Sequence, residues 1–223
     1  MKRIFGRAAA FTAAAVMAFS AASCSSKKGS SNNPANQAGA DLPDDLSISL
    51  EDMPYGGEYE HITAGEDDFK LDIEIDPRYV TRDAARALVN YFYSFNTQDP
   101  EYLKKAVPAD LIAYHLKNDG YESEKAFLDA EYEFLMQYTG SEFTMDCVLI
   151  DGISANPDST FAYYDNLMKT VSPDCNITDR KLYYVDCTYH KPDDDGSYSL
   201  RYRFGDYMEI CIYTIDGTEY VIS

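Results

Sequence analysis

The chain has no tryptophan, three histidines, and half as many cations as anions, 19 Lys plus Arg against 38 Asp plus Glu. Each shortage removes a class of function. A formal net charge of -19 leaves no basic surface to attract a polyanion, and acidic groups repel phosphates over roughly a Debye length, so nucleic acid is excluded as a partner. Anionic lipid headgroups are disfavoured for the same reason. Long apolar runs are missing too: the stretch Ala8 to Phe19 is too short to cross a bilayer as a helix. There is no Gly-x-Ser-x-Gly elbow, no phosphate-cradling Gly-x-x-x-x-Gly-Lys loop and no His-Glu-x-x-His helix, which disfavours three common catalytic scaffolds. His61, His115 and His190 share no spacing suited to a joint task, and no cofactor is expected.

What is present starts with an address. Lys2, Arg3 and Arg7 precede the apolar run, and the small residues Ser20 to Ser23 precede Cys24, the order of an export signal. Ala21-Ala22-Ser23-Cys24 resembles the lipobox of bacterial lipoproteins, which implies cleavage before Cys24 and acylation of its thiol. Ordinary cleavage after Ala22 is the alternative the residues leave open. Removing residues 1–23 leaves 16 cations against 38 anions, so a membrane hold must come from lipid, each buried methylene contributing about 0.8 kcal/mol. The expected location is therefore the outer face of the cytoplasmic membrane, lipid-anchored. Residues 24–45, rich in Ser, Lys, Gly, Asn, Pro and Ala, read as a disordered tether with a root-mean-square span of about 25 Å.

The remainder, with most of the 20 tyrosines and 11 phenylalanines, can bury one sizeable core. Residues 46–80 form a transitional stretch. In it Phe69, Leu71, Ile73 and Ile75 alternate with Lys70, Asp72, Glu74 and Asp76, the pattern of a half-buried edge strand with its charges outward. Residues 81–223 read as the main domain. Thr81 caps a helix to about Phe95, Pro100 and Pro108 each open a short helix, and Ser123 opens a longer one through Phe127, Glu131, Phe134, Leu135 and Tyr138 that stops near Gly140. Asp158 is expected to cap a further helix to Val171. Strands are expected over 141–150, 181–190, 198–204, 207–215 and 218–222, with turns at Asp195-Gly196 and Asp216-Gly217. Helices followed by hairpin-linked strands give an α+β fold, a curved antiparallel sheet packed on N-terminal helices.

The helix bearing Ala87, Leu88, Tyr91, Phe92 and Phe95, the Asn96-Thr97-Gln98-Asp99 turn, and the closing strand Ile215-Asp216-Gly217-Thr218-Glu219-Tyr220-Val221-Ile222 resemble small lipoproteins of Gram-positive bacteria. Those carry a domain similar to nuclear transport factor two and ketosteroid isomerase. The resemblance covers about residues 68–223 and implies a sheet wrapped around helices as a cone, often open at one end. In the enzymes of that group a carboxylate acts as base and a Tyr or protonated Asp donates hydrogen bonds to an enolate oxygen. Asp146, Asp186, Tyr91 and Tyr93 are the parts available here, with no motif fixing their positions.

Four cysteines follow the leader, Cys147, Cys175, Cys187 and Cys211, free in the core or paired in any of three connectivities. Cys187-x-x-His190 looks like half a metal site, but residues three apart on a strand face opposite ways. Glu66-Asp67-Asp68 and Asp193-Asp194-Asp195-Gly196 lack calcium-loop spacing, so no metal site is read. The tyrosines are the most unusual feature, and Tyr91, Tyr164, Tyr183 and Tyr202 are the candidate ligand contacts. The expected function is a non-catalytic binding module for an envelope protein, a glycan or a small ligand, of open oligomeric state. The alternative is a small extracellular isomerase-like enzyme using a carboxylate and a Tyr in a cone pocket.

Overall fold

The computed structural model describes residues 54–223; the expected leader, Cys24 and the expected tether lie outside the described residues. Among the described residues, seven strands build one curved, open sheet and six α-helices accompany it. The strands are β1 (Glu60–Ile62), β2 (Asp72–Ile75), β3 (Thr144–Ile153), β4 (Ile177–Lys191), β5 (Asp194–Ser199), β6 (Met208–Ile215) and β7 (Thr218–Ile222). The helices are α1 (Arg82–Thr97), α2 (Pro100–Ala106), α3 (Ala109–Asp119), α4 (Glu124–Thr139), α5 (Asp158–Val171) and α6 (Leu200–Phe204). None of them is long and apolar enough to cross a membrane.

The helix ends follow local chemistry. Thr81 accepts from the Ala84 N–H and Ser123 from the Ala126 N–H, opening α1 and α4 as side-chain caps do. Asp99 caps α2 through the Glu101 N–H, with Pro100 at the first helical position. Asp158 does not cap α5: Pro157 holds that position and no side chain closes it. One face of α1 (Ala84, Leu88, Phe92, Phe95) is buried against the sheet. Its end is fixed by Asn96, whose amide donates to the Met145 carbonyl and accepts from the Met145 N–H, both at 2.9 Å.

The sheet runs β1-β2-β3-β4-β6-β7, with β5 paired to β4. The sequence led to the expectation of an antiparallel sheet, and one pairing departs from it. β2 and β3 run parallel, a pairing that needs a long crossover, supplied here by the chain through α1 to α4. β2 is also not an edge strand: β1 pairs outside it, and Ile62, Phe69, Leu71, Ile73 and Ile75 belong to the same core as the C-terminal hairpins. Register shifts between Met145 and Cys147, Ile150 and Gly152, and Ile177 and Asp179 mark bulges that bend the strands.

The turn at Asp216-Gly217 stands as expected, with φ of 51° and 83° at its two central residues, the left-handed pair that a tight hairpin requires. The other expected turn is displaced. β4 and β5 join through Pro192-Asp193, since Lys191 pairs with Asp194, and proline's fixed φ suits the first corner of such a turn. The expected strand 198–204 stops at Ser199 and becomes α6. The cause is tertiary: the buried Asp186 carboxylate on β4 accepts from Ser199 Oγ (2.6 Å) and from the Arg201 N–H (2.9 Å), satisfying a donor at the start of the helix.

Asp76 departs from the alternation that placed it outward, being fully buried. Its carboxylate accepts from Arg78 Nε (2.9 Å), from an Arg78 terminal nitrogen (2.5 Å), and from the N–H groups of Gly56 (2.9 Å) and Arg78 (3.1 Å). Arg78 also donates to the Pro54 carbonyl. Tyr55, its ring tilted against that of Tyr79 at 5.6 Å, donates to the Ile150 carbonyl, and Tyr183 on β4 donates to the Tyr79 carbonyl. This knot binds residues 54–80 to the sheet.

Candidate functional site

Helices α1 to α4 and the end of β7 enclose a small apolar cavity lined by Tyr91, Leu103, Val107, Ile112, His115, Leu116, Phe127 and Ser223. The room for the centre of a water molecule is about 10 Å³, the scale of one water. Polar groups gather on its rim. His115 places Nε2 3.2 Å from the Ser223 main-chain oxygen and Nδ1 3.3 Å from Asp119 Oδ2, one helical turn on. The other Asp119 oxygen is buried without a hydrogen-bond partner. Tyr91 bonds to Ser223 Oγ at 3.3 Å.

Burial dominates the electrostatics. It pushes the Tyr91 hydroxyl up to about 12, and it raises Asp119 against the opposing pull of His115. Burial, reinforced by the Asp119 charge, pushes the Glu131 carboxyl up to about 7. Glu131 also faces Tyr91 and Tyr121 electrostatically, since its charge raises both hydroxyls. A carboxyl whose folded value exceeds its ordinary 4.5 favours the fold below 4.5 and loses that contribution as pH rises through 7. Glu131→Gln is expected to flatten that descent and to exceed the parent by about 2 kcal/mol at pH 8, after discounting for partial exposure. Denaturant unfolding of both proteins at pH 5 and pH 8 checks it, and equal pH dependence would refute it.

The four candidate tyrosines are not assembled into one site. Tyr91 lines the cavity, and Tyr164 on α5 is buried, its hydroxyl raised by burial and, to a lesser degree, by Cys211 and Tyr91. Tyr183 is fully buried and held to the Tyr79 carbonyl, while Tyr202 stands 85% exposed on α6. Of the carboxylates singled out from the sequence, Asp186 is spent on the α6 turn, and Asp146 pairs with His190 at 2.7 Å. Tyr93 packs edge-on to Tyr102 at 4.7 Å. All four cysteines are free thiols, Cys187 and Cys211 buried, Cys147 and Cys175 half-buried. Glu131 and Asp119 were missed as site residues, although a Glu within the apolar stripe of α4 and the His115/Asp119 spacing of four were signals of both.

A second feature lies where α4 meets α6. Tyr138 packs on Phe134 at 5.0 Å and on Phe204 at 4.6 Å, and Tyr138 is exposed while the two phenylalanines are half-exposed. On the β4–β5 hairpin, the Tyr198 ring has two cations near it, Lys191 at 5.3 Å and Arg203 at 5.7 Å. Comparison with known protein families, with curated proteins and with solved structures finds no match to this chain.

Proposed function

We propose that the chain is a non-catalytic binding module, tethered by lipid on Cys24 to the outer face of the cytoplasmic membrane, that docks an envelope protein or glycan on the aromatic patch of Phe134, Tyr138 and Phe204. The observation that carries this reading is the patch itself: an exposed Tyr138 in contact with two half-exposed phenylalanine rings, on a chain with a large excess of acid. Aromatic and arginine side chains supply most of the binding energy at protein interfaces, and flat rings equally suit the apolar faces of sugars. A cone-shaped wrap of the sheet, as in the nuclear transport factor two group, belongs to the same reading and is supported by the order of helices and hairpins.

A catalytic role would draw on Glu131 and Tyr91, whose perturbed ionisation is the kind enzymes use. It would need a cavity of several hundred Å³, and the room beside Tyr91 and His115 is that of one water. The binding reading is tested with the full chain and its Tyr138→Ser/Phe204→Ser variant on isolated cell envelopes. Loss of two central rings is expected to weaken binding at least about tenfold at a temperature where the measured unfolding midpoint shows both proteins folded. Equal binding by the two proteins would overturn it.

A further inference from the structure

We propose that the outward face of strands β1 to β3 holds a divalent transition-metal site of the zinc type, with His61, Glu74 and Cys147 as ligands. The three side chains come from three different strands and 87 positions of sequence, which is why no motif announces them. Pairing brings them together. His61 stands directly opposite Glu74 across the β1/β2 ladder, and Cys147 stands opposite Asp72, two residues from Glu74 on the same face of β2. The candidate donor atoms of the three residues lie within 4.8 Å of one another.

The facing of Cys147 depends on a bulge. Met145 and Val148 are both buried, and simple alternation would turn one of them out and Cys147 in. The register shift between Met145 and Cys147 inserts Asp146 as an extra residue, so that Asp146 and Cys147 are both half-exposed between the two buried neighbours. Asn96 grips both backbone groups of Met145 and so fixes the strand at that point.

The distances suit a small ion. Zinc bonds of about 2.0–2.2 Å to nitrogen and oxygen at a tetrahedral angle place those donors roughly 3.3–3.6 Å apart. His61 Nδ1 and Glu74 Oε1 already stand at 3.3 Å. Only the sulfur must close in, a rotation within reach of a half-exposed side chain. On the far side of the ring, His61 Nε2 lies 3.5 Å from Asp72 Oδ2. Asp72 is itself oriented, its other oxygen accepting from the Ala64 N–H at 2.7 Å. A ligating histidine commonly gives its second ring N–H to such a carboxylate, which fixes the tautomer and raises ligand basicity. One nitrogen, one oxygen and one sulfur select a borderline ion such as Zn²⁺ over Mg²⁺ or Ca²⁺, and three protein ligands leave a fourth position for water or a partner's group. Binding replaces the Cys147 S–H bond with a sulfur–metal bond and releases one proton to solvent.

The test uses the full chain stripped of metal. Titration with Zn²⁺ against a chromophoric chelator is expected to show one ion per chain, and Co²⁺ in its place is expected to give tetrahedral visible bands with a near-ultraviolet thiolate-to-cobalt band. Cys147→Ser should abolish the thiolate band, whereas Cys175→Ser should keep it. Glu74→Gln and Asp72→Asn should each weaken zinc binding about 10- to 100-fold. Each variant's melting temperature without metal reports folding, and zinc should raise the melting temperature of the parent but not of Cys147→Ser. Absence of one-to-one zinc binding, or a thiolate band that survives in Cys147→Ser, would overturn the proposal and leave His61 as a carboxylate-paired surface histidine.

Discussion

Asp76→Ala is expected to cost about 3–5 kcal/mol of stability. The carboxylate is fully buried, and the Arg78 side chain opposite it is only 14% exposed. Removing one partner leaves a guanidinium with little water to replace it, together with the N–H groups of Gly56 and Arg78. Since Arg78 also carries the Pro54 carbonyl, the loss spreads to the segment that lays Tyr55 against Tyr79. Denaturant unfolding measures the effect. Asp76→Ala combined with Arg78→Met should recover part of it, because the guanidinium that has lost its carboxylate is then gone. The pH dependence follows from the same contact. The Arg78 guanidinium holds the Asp76 carboxyl below its ordinary 3.8. The group therefore contributes stability above that value and loses it as pH falls through its lower folded value. The parent should thus weaken in strong acid more steeply than Asp76→Ala. A variant within about 1 kcal/mol of the parent would contradict this account of the knot.

Cys24→Ala is expected to move the protein from the membrane to the soluble fraction outright. With 16 cations against 38 anions over residues 24–223, nothing in the charge of that part of the chain holds it to anionic lipid. At about 0.8 kcal/mol per methylene, one acyl chain binds marginally, and two or three make an anchor that does not exchange on the time of a fractionation. Fractionation of cells expressing each form, with metabolic labelling by a fatty acid, reads both the location and the acylation. Membrane retention of the variant, or absence of label in the parent, would remove the anchor from the proposal.

The fold was legible where local chemistry decides it. Thr81, Ser123 and Gly140 mark helix ends through hydrogen bonds to their own neighbours, and Asp216-Gly217 marks a hairpin through its left-handed backbone. It was illegible where a distant group overrides the local pattern. Tyr198 to Phe204 alternates like a strand, but Asp186 on another strand turns it into a helix. Asp76 sits at an outward position of a clean alternation and is buried because an arginine two residues on needs it there. The parallel pairing of β2 with β3 is also invisible locally, since it depends on where 68 intervening residues deliver the chain. Candidate sites fared likewise. Glu131 could have been found as a carboxylate within an apolar stripe, whereas the grouping of His61, Glu74 and Cys147 needs strand register and a bulge. Tyr183 was attractive as a contact because it alternates, yet the segment 54–80 covers it.

The most direct measurement of the central claim, that this is a membrane-held module which binds through exposed rings, is photo-crosslinking in intact cells. A photoreactive amino acid is placed at Tyr138 within the patch, or at the exposed Lys169 on α5 outside it. The account predicts a discrete cross-linked species from position 138 that disappears with Phe204→Ser, and none from position 169. Equal products from both positions, or none from position 138 in membrane-bound protein, would contradict it.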